Sequence, residues 1–214
     1  YHTIGLKNDG SIVLWGNNWE NQCEEPIPNQ DFEAISASAT FGLGLKKDGT
    51  IEYLGKTLNE PYHGPWEFPT PNSDFTAVAA GTHCLGLKKN GSIVAWGKNY
   101  YYQCSVPNPN ENFVAVAVGN SHSVGLKNNG EIICWGSNME GQCDVPEPNT
   151  NFIKIAANRD YTMGLKRNGE IVVWGSISKQ IPQPNINYID IAAGGYHCLA
   201  IKGAIDTPGI SATN

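Results

Sequence analysis

Short apolar runs alternate along this chain with clusters of Gly, Pro, Asn and Asp, and they return in the same order each time. One run starts with an aromatic residue and is rich in Ala: FTAVAA from Phe75, FVAVAV from Phe113, FIKIAA from Phe152 and YIDIAA from Tyr188. The next ends in GLK or AIK, and the third reads SIVLW, SIVAW, EIICW or EIVVW. Runs of this length, bounded by turn residues and rich in β-branched and aromatic side chains, predict strands, here named A, B and C. The third is apolar on both faces, as a strand sandwiched between neighbouring sheets should be. Between B and C stand Asp9-Gly10, Asp48-Gly49, Asn90-Gly91, Asn129-Gly130 and Asn168-Gly169. Asx-Gly between two apolar runs predicts a hairpin with a type I′ turn. Between C and the next A lies Pro-x-Pro-Asn, ending at Asn29, Asn72, Asn110, Asn149 and Asn185. Two prolines fix φ and remove donors, so this is an extended connector or edge. No capped stretch with helical periodicity competes.

Lys7, Lys46, Lys88, Lys127, Lys166 and Lys202 mark the copies, at spacings of 39, 42, 39, 39 and 36 residues. That period belongs to propellers and solenoids, whose units bury their faces by stacking, and radial stacking leaves the fewest open edges. The expectation is an all-β propeller of about 39-residue, three-stranded blades, with five full repeats and a partial sixth in residues 1–203 as one domain. The chain opens in mid-repeat, and residues 204–214 read as a tail or linker. It carries six B strands but five A and five C, so the first and last blades should be incomplete edges, and the full ring should have six or seven blades.

The pattern GxxHxxGLKxDGxIxxWGxNxxGQCxVPxPN resembles the repeat of the regulator of chromosome condensation family, over nearly the whole chain. In its short period and three-strand blade it is most similar to the bacterial branch that includes the type II β-lactamase inhibitory protein. The resemblance implies a closed propeller, usually of seven blades, that grips other proteins. It also brings two narrower roles, guanine-nucleotide exchange and β-lactamase inhibition. Against the first, no long insertion could wedge into a nucleotide site; against the second, the AB loops lack the inhibitor's aromatics except at Tyr196.

The repeat also sorts structural from functional residues. His2, His83, His122 and His197 share one position with Phe41 and Tyr161, so a packing and hydrogen-bonding role is expected there. Trp15, Trp96, Trp135 and Trp174 recur in strand C, with Leu54 in the odd copy, and are expected in the core; the LK lysines are expected as solvated strand ends. Six cysteines at Cys23, Cys84, Cys104, Cys134, Cys143 and Cys198 follow the repeat, and equivalent positions on different blades are too far apart to pair. All six are therefore expected reduced, favouring a reducing, cytoplasmic setting. Asn90-Gly91-Ser92 matches a glycosylation triplet, but the turn already accounts for it. No enzyme motif, cofactor motif or metal-ligand spacing is present, and no apolar run approaches the roughly 18 residues of a membrane helix.

Function is then sought where the copies disagree. After WG the pattern expects N-x-x-G-Q, yet it holds Trp19 and Glu20, then Tyr100, Tyr101 and Tyr102, then Met139. The second copy is longer there and adds Tyr62, Trp66 and Phe68. The AB loops, traced to the same upper face, contribute Arg159, Asp160 and Tyr196. Aromatic loop tips that the fold does not require are what a binding surface looks like. The expected function is a non-enzymatic protein-binding module whose partner has a basic surface. The alternative is a carbohydrate-binding lectin, although propeller lectins repeat one pocket in each blade and these loops differ. The net charge of −6 argues against nucleic acid, while the Asx-Gly turns form a basic lower rim.

Overall fold

The computed structural model describes residues 2–19, 21–55, 67–176 and 181–203. Among the described residues, sixteen strands form six antiparallel sheets in chain order. Sheet one pairs β1 (His2–Leu6) with β2 (Ile12–Gly16). Sheet two is β3 (Phe32–Ala37), β4 (Gly42–Lys46) and β5 (Ile51–Leu54); sheet three is β6 (Phe75–Ala80), β7 (His83–Lys88) and β8 (Ile93–Gly97). Sheet four is β9 (Phe113–Val118), β10 (His122–Lys127) and β11 (Ile132–Gly136); sheet five is β12 (Phe152–Asn158), β13 (Tyr161–Lys166) and β14 (Ile171–Gly175). Sheet six pairs β15 (Tyr188–Ala193) with β16 (Cys198–Lys202). The order within each full sheet is A-B-C, and the end sheets lack A and C respectively among the described residues. The all-β repeat architecture is thus the expected one; residues 204–214 lie outside the described residues.

Each turn differs from the expected type. Gly91 N donates to Lys88 O and Lys88 N to Ser92 O, and Gly91 has φ 80° while Asn90 is not left-handed. The other four hairpins repeat this arrangement. It is the three-residue loop closed by a glycine bulge rather than a type I′ turn, so only the Gly of each Asx-Gly pair needs positive φ. The Asx side chain instead accepts the N–H two residues on, as Asn90 Oδ1 does from Ser92 N at 3.0 Å.

Successive sheets are tied together at the turn end. The N–H of Phe32, Phe75, Phe113, Phe152 and Tyr188 each donates to the turn glycine of the preceding sheet, at 2.9–3.1 Å. The phenylalanine rings are buried across the glycine of GLK: a Cβ on Gly164 would lie 2.5 Å from the Phe152 ring, and one on Gly86 2.4 Å from Phe75. Glycine there is a steric requirement, and where the sequence has Ala200 the aromatic partner is the less buried Tyr188. The repeat lysines are not merely solvated ends. Lys46, Lys88, Lys127, Lys166 and Lys202 each place Nζ over the strand-A ring of their own sheet, at 5.2, 3.6, 5.3, 5.3 and 5.5 Å from its centroid.

The Pro-x-Pro-Asn connector has a specific task. Its second proline follows a cis peptide bond in all five copies. The asparagine then makes a two-point contact with the first isoleucine of strand C, as Asn149 does with Ile132 N and O at 2.9 Å each. Four other asparagines do the same at Ile12, Ile51, Ile93 and Ile171. The side-chain amide stands in for a neighbouring strand.

Three of the four strand-C tryptophans belong to an apolar cluster with strand-B residues of the sheet before them: Trp96 with Leu43 and Leu45, Trp135 with Leu85 and Leu87, Trp174 with Val124 and Leu126. Trp15 corrects the expectation of a uniform core. It is 53% exposed, against 2% for Trp174, because no sheet precedes sheet one among the described residues. At the other end, a cavity of about 480 Å³ lies between sheets five and six, lined by Met163, Ile171, Val173, Tyr188 and Ala200. These correspond by repeat position to Val124, Ile132, Cys134, Phe152 and Gly164, the surroundings of Trp174.

Cys134 and Cys143 form a disulfide, with Cα atoms 5.0 Å apart, which overturns the expectation of six thiols. The two occupy different positions of one repeat, where spacing between blades is no obstacle. Thiol chemistry therefore gives no argument for a reducing compartment. Cys23, Cys84, Cys104 and Cys198 are free, and burial pushes the Cys104 thiol up to about 11.

Replacing Trp135 by Ala should destabilise the protein by on the order of 3–5 kcal/mol in urea titration, through the cavity left between sheets. Trp15→Ala should lower stability by clearly less, because half of that indole is already in water. Equal losses would show that the inter-sheet seat does not set the value of the tryptophan.

Candidate interaction loops

The segments that follow strand C share one geometry in sheets one, three and four. A fixed asparagine, Asn18, Asn99 or Asn138, accepts the N–H of Cys23, Cys104 or Cys143 at 2.8 Å. A buried glutamine, Gln22, Gln103 or Gln142, anchors the other side. Gln103 Oε1 accepts from Tyr101 N and Gln142 Oε1 from Glu140 N, both at 2.8 Å. The loops are braced from within, and the variable residues are left on the outside.

The roots of the loops after sheets three and four are held by repeat histidines. Ser123 Oγ donates to Gln103 O at 2.8 Å, so the same oxygen must accept from His83 Nε2 at 2.7 Å. Thr162 Oγ1 likewise donates to Gln142 O at 2.8 Å and accepts from His122 Nε2 at 3.0 Å. Each chain runs from one sheet, through the next, to the base of the loop between them. Trp135 Nε1 adds a second donor to Gln103 O at 2.9 Å. His83 and His122 are wholly buried, and burial depresses them to about 3 and about 4. At His83 and His122 the geometry is that of a packing and hydrogen-bonding position, whereas His197 is exposed.

The AB loops and the segments after strand C meet at one end of the sheets, as traced from the sequence. Ser137 N donates to Ser121 O at 2.8 Å and Ser176 N to Asp160 O at 2.9 Å. Of the candidate residues, Trp19, Tyr100, Tyr101, Tyr102, Met139 and Tyr196 are exposed, Trp19 at 91%. Arg159 and Tyr196 are brought together from neighbouring loops, with the guanidinium 4.0 Å from the ring centroid. Asp160 is half-buried. Glu20, Tyr62 and Trp66 lie outside the described residues. No ring contact joins Trp19, Tyr100, Tyr101 and Tyr102 among the described residues, so they present separate tips. Phe68 does not belong with them: it stacks on Tyr53 at 4.4 Å, and Tyr53 accepts from Trp96 Nε1 at 3.0 Å.

One feature of the loops is invisible in composition. The residue before the glutamine is left-handed in all three, at φ 55° for Asn21, 61° for Tyr102 and 74° for Gly141. Asparagine and glycine suit that region, whereas a bulky side chain there is strained. Tyr102 holds the strained conformation with 75% of its surface in solvent. Alignment of the three copies would have flagged it, since Tyr stands where the repeat writes Gly.

No group of three or more His, Cys, Asp or Glu side chains is arranged to hold a metal among the described residues.

Residues 113–142 match the family model described as the regulator of chromosome condensation (RCC1) repeat. No curated protein sequence matches the chain. Among solved structures, the chain is similar to the ectodomain of the receptor kinase CR4 from Physcomitrella patens, with a TM-score of 0.79 at 22% identity over 97% of this chain. It is similar to the CRINKLY WD40 ectodomain of ACR4 from Arabidopsis thaliana, with a TM-score of 0.75 at 25% identity, covering 94% of this chain and 72% of that one. Prp20p from Saccharomyces cerevisiae gives 0.73 at 18% identity, covering 94% and 67%. The chain spans 58% of the length of the CR4 ectodomain. Its fold is that of RCC1-like propellers.

Stability should fall in mild acid. His83 and His122 stay neutral in the folded protein, while in the unfolded chain they take protons below their ordinary value of 6.5. Stability is undiminished above that value and drops by up to about 1.4 kcal/mol per pH unit per histidine until the folded values, about 4 and about 3, are reached. Urea midpoints measured between neutral pH and mild acid should show a shallower slope for His122→Phe than for the parent. An unchanged slope would mean that His122 is charged in the fold.

Proposed function

We propose that the protein is a non-enzymatic interaction module that offers the loop tips at one end of its sheets to another protein. The observation that carries this reading is Tyr102, an exposed aromatic kept at a backbone conformation that glycine would occupy without strain. Such strain is of order 1–3 kcal/mol and persists where a side chain serves something other than the fold. Tyr100 and Tyr101 stand beside Tyr102 in the same loop, and Trp19 and Met139 occupy the corresponding tips after sheets one and four. Large side chains of this kind supply contact area at a small entropic cost. Exposed Glu24, Glu25, Glu140 and Asp144 in the same segments favour a partner with a basic surface. The similar structures support protein binding as a use of this fold: Prp20p is described with binding to Gsp1p and histones, and in complex with Kap60. The tips differ from sheet to sheet, which favours one extended partner over a repeated sugar pocket.

The test is a pull-down from lysate of the source organism, read by mass spectrometry, with the parent protein and with Tyr102→Gly. That substitution should raise stability by about 1 kcal/mol, by relieving the left-handed tyrosine, and should weaken capture of the partner at the same time. A variant that is more stable and captures the partner undiminished would remove Tyr102 from the interface, and a glycan array that responds to the parent alone would favour the lectin reading.

A further inference from the structure

The turn end of the sheets carries a second asymmetry, unrelated to the loops above. The second residue of strand A is Glu33 in sheet two and Thr76 in sheet three, then Val114, Ile153 and Ile189 in sheets four, five and six. The three aliphatic side chains are 52%, 40% and 57% exposed. Sheets four and five lie inside the array, so this exposure is not an effect of the chain end. The three residues hold the same register on neighbouring strands β9, β12 and β15. An ion pair between Lys154 and Asp190, 2.8 Å long, crosses from β12 to β15 directly beside Ile153 and Ile189. Val114, Ile153 and Ile189 therefore form an apolar stripe across three sheets, beside the hairpin turns.

The polar surroundings of the stripe change in step with it. The left-handed residue before the strand-A aromatic is Asp31 and Asp74 in sheets two and three, but Asn112, Asn151 and Asn187 in sheets four to six. Both residue types tolerate φ near 65°, so backbone geometry does not demand the switch. The result is that carboxylates are missing at this position where the surface is apolar. Cations flank the same surface. Arg167 N donates to Asn151 O, and the glycine of that turn accepts from Tyr188 N, which sets exposed Arg167 between Ile153 and Ile189. The turn that carries exposed Lys89 accepts from Phe113 N through Gly91 O, beside Val114.

We infer that Val114, Ile153 and Ile189, with Lys89 and Arg167, form a second docking surface, for an extended acidic segment of another protein that carries aliphatic residues between carboxylates. Aliphatic side chains of the segment lie on the stripe while its carboxylates meet Arg167 and Lys89. The asparagines take one carboxylate per sheet away from that approach, and Lys154 pairs with Asp190 beside it, whereas the same segment on sheets two and three would face Asp31, Glu33 and Asp74. A basic segment is disfavoured by the two turn cations, and a long polyanion by the net charge of −6.

Panning a random peptide library against the immobilised protein, then measuring the selected peptides by fluorescence anisotropy, tests this. Peptides combining Leu, Ile or Val with Asp or Glu should be selected. Ile153→Asp and Arg167→Glu should each weaken them by about tenfold or more, as expected for a central contact. Both side chains are exposed, and unchanged melting curves establish that the variants are folded. Tyr102→Gly, at the opposite end, should leave this binding unchanged, so failure here is separable from failure of the loop interface. Selection of basic peptides, absence of any peptide sensitive to both variants, or sensitivity to Tyr102→Gly would overturn the inference. So would concentration-dependent self-association abolished by Ile153→Asp, which would assign the stripe to a second copy of the chain.

Discussion

Each strand-A phenylalanine lies against a glycine of its own sheet, under a lysine, with its backbone N–H bound to the turn of the sheet before. This single arrangement does three things at once. It packs the sheet, fixes the strand to its neighbour, and sets the register at which the next copy must start. The bulge that interrupts A-B pairing at Phe32, Phe75, Phe113 and Phe152 lets the aromatic residue turn inward while the following residue points out. The outward residue is the one that becomes Val114 or Ile153. The inter-sheet lock thus also creates the surface position on which the turn end of the array varies.

At the opposite end the coupling is polar. His83 and His122 donate to a hydroxyl that itself donates to the carbonyl of a buried glutamine, so the bases of the loops after sheets three and four are each held by two neighbouring sheets. Loop tips can then change freely because nothing in the fold depends on them. The Tyr102 backbone shows the same separation from the other side: the braced loop holds a left-handed residue whether that residue is glycine, asparagine or tyrosine.

Strand count, strand order and the sharing of one end by the AB loops and the segments after strand C were legible in the sequence, because spacing and turn residues encode them directly. So was the split between repeat residues and variable tips. Other features depend on what lies across an interface. The exposure of Trp15 follows from the lack of a preceding sheet among the described residues, not from its own segment, and the stacking of Phe68 on Tyr53 joins residues of a copy that departs from the pattern. The disulfide joins two positions that recur separately, Cys134 in strand C and Cys143 after it, and only their coincidence in one repeat makes the pair. The Asx-Gly dipeptide identified the hairpins but not the loop type, since a bulge glycine and a type I′ glycine look alike in one dimension.

The asparagine that closes Pro-x-Pro-Asn has a consequence for how such an array can associate. The outer strand of sheets one to five would otherwise offer a free row of N–H and C=O groups, the usual route to edge-to-edge aggregation. Here a side-chain amide occupies both groups of the first isoleucine, and prolines with no N–H to donate run alongside. Growth by added strands is blocked at the start of strand C in the five sheets that carry one, which leaves faces and loop ends as the places where another molecule can be received there.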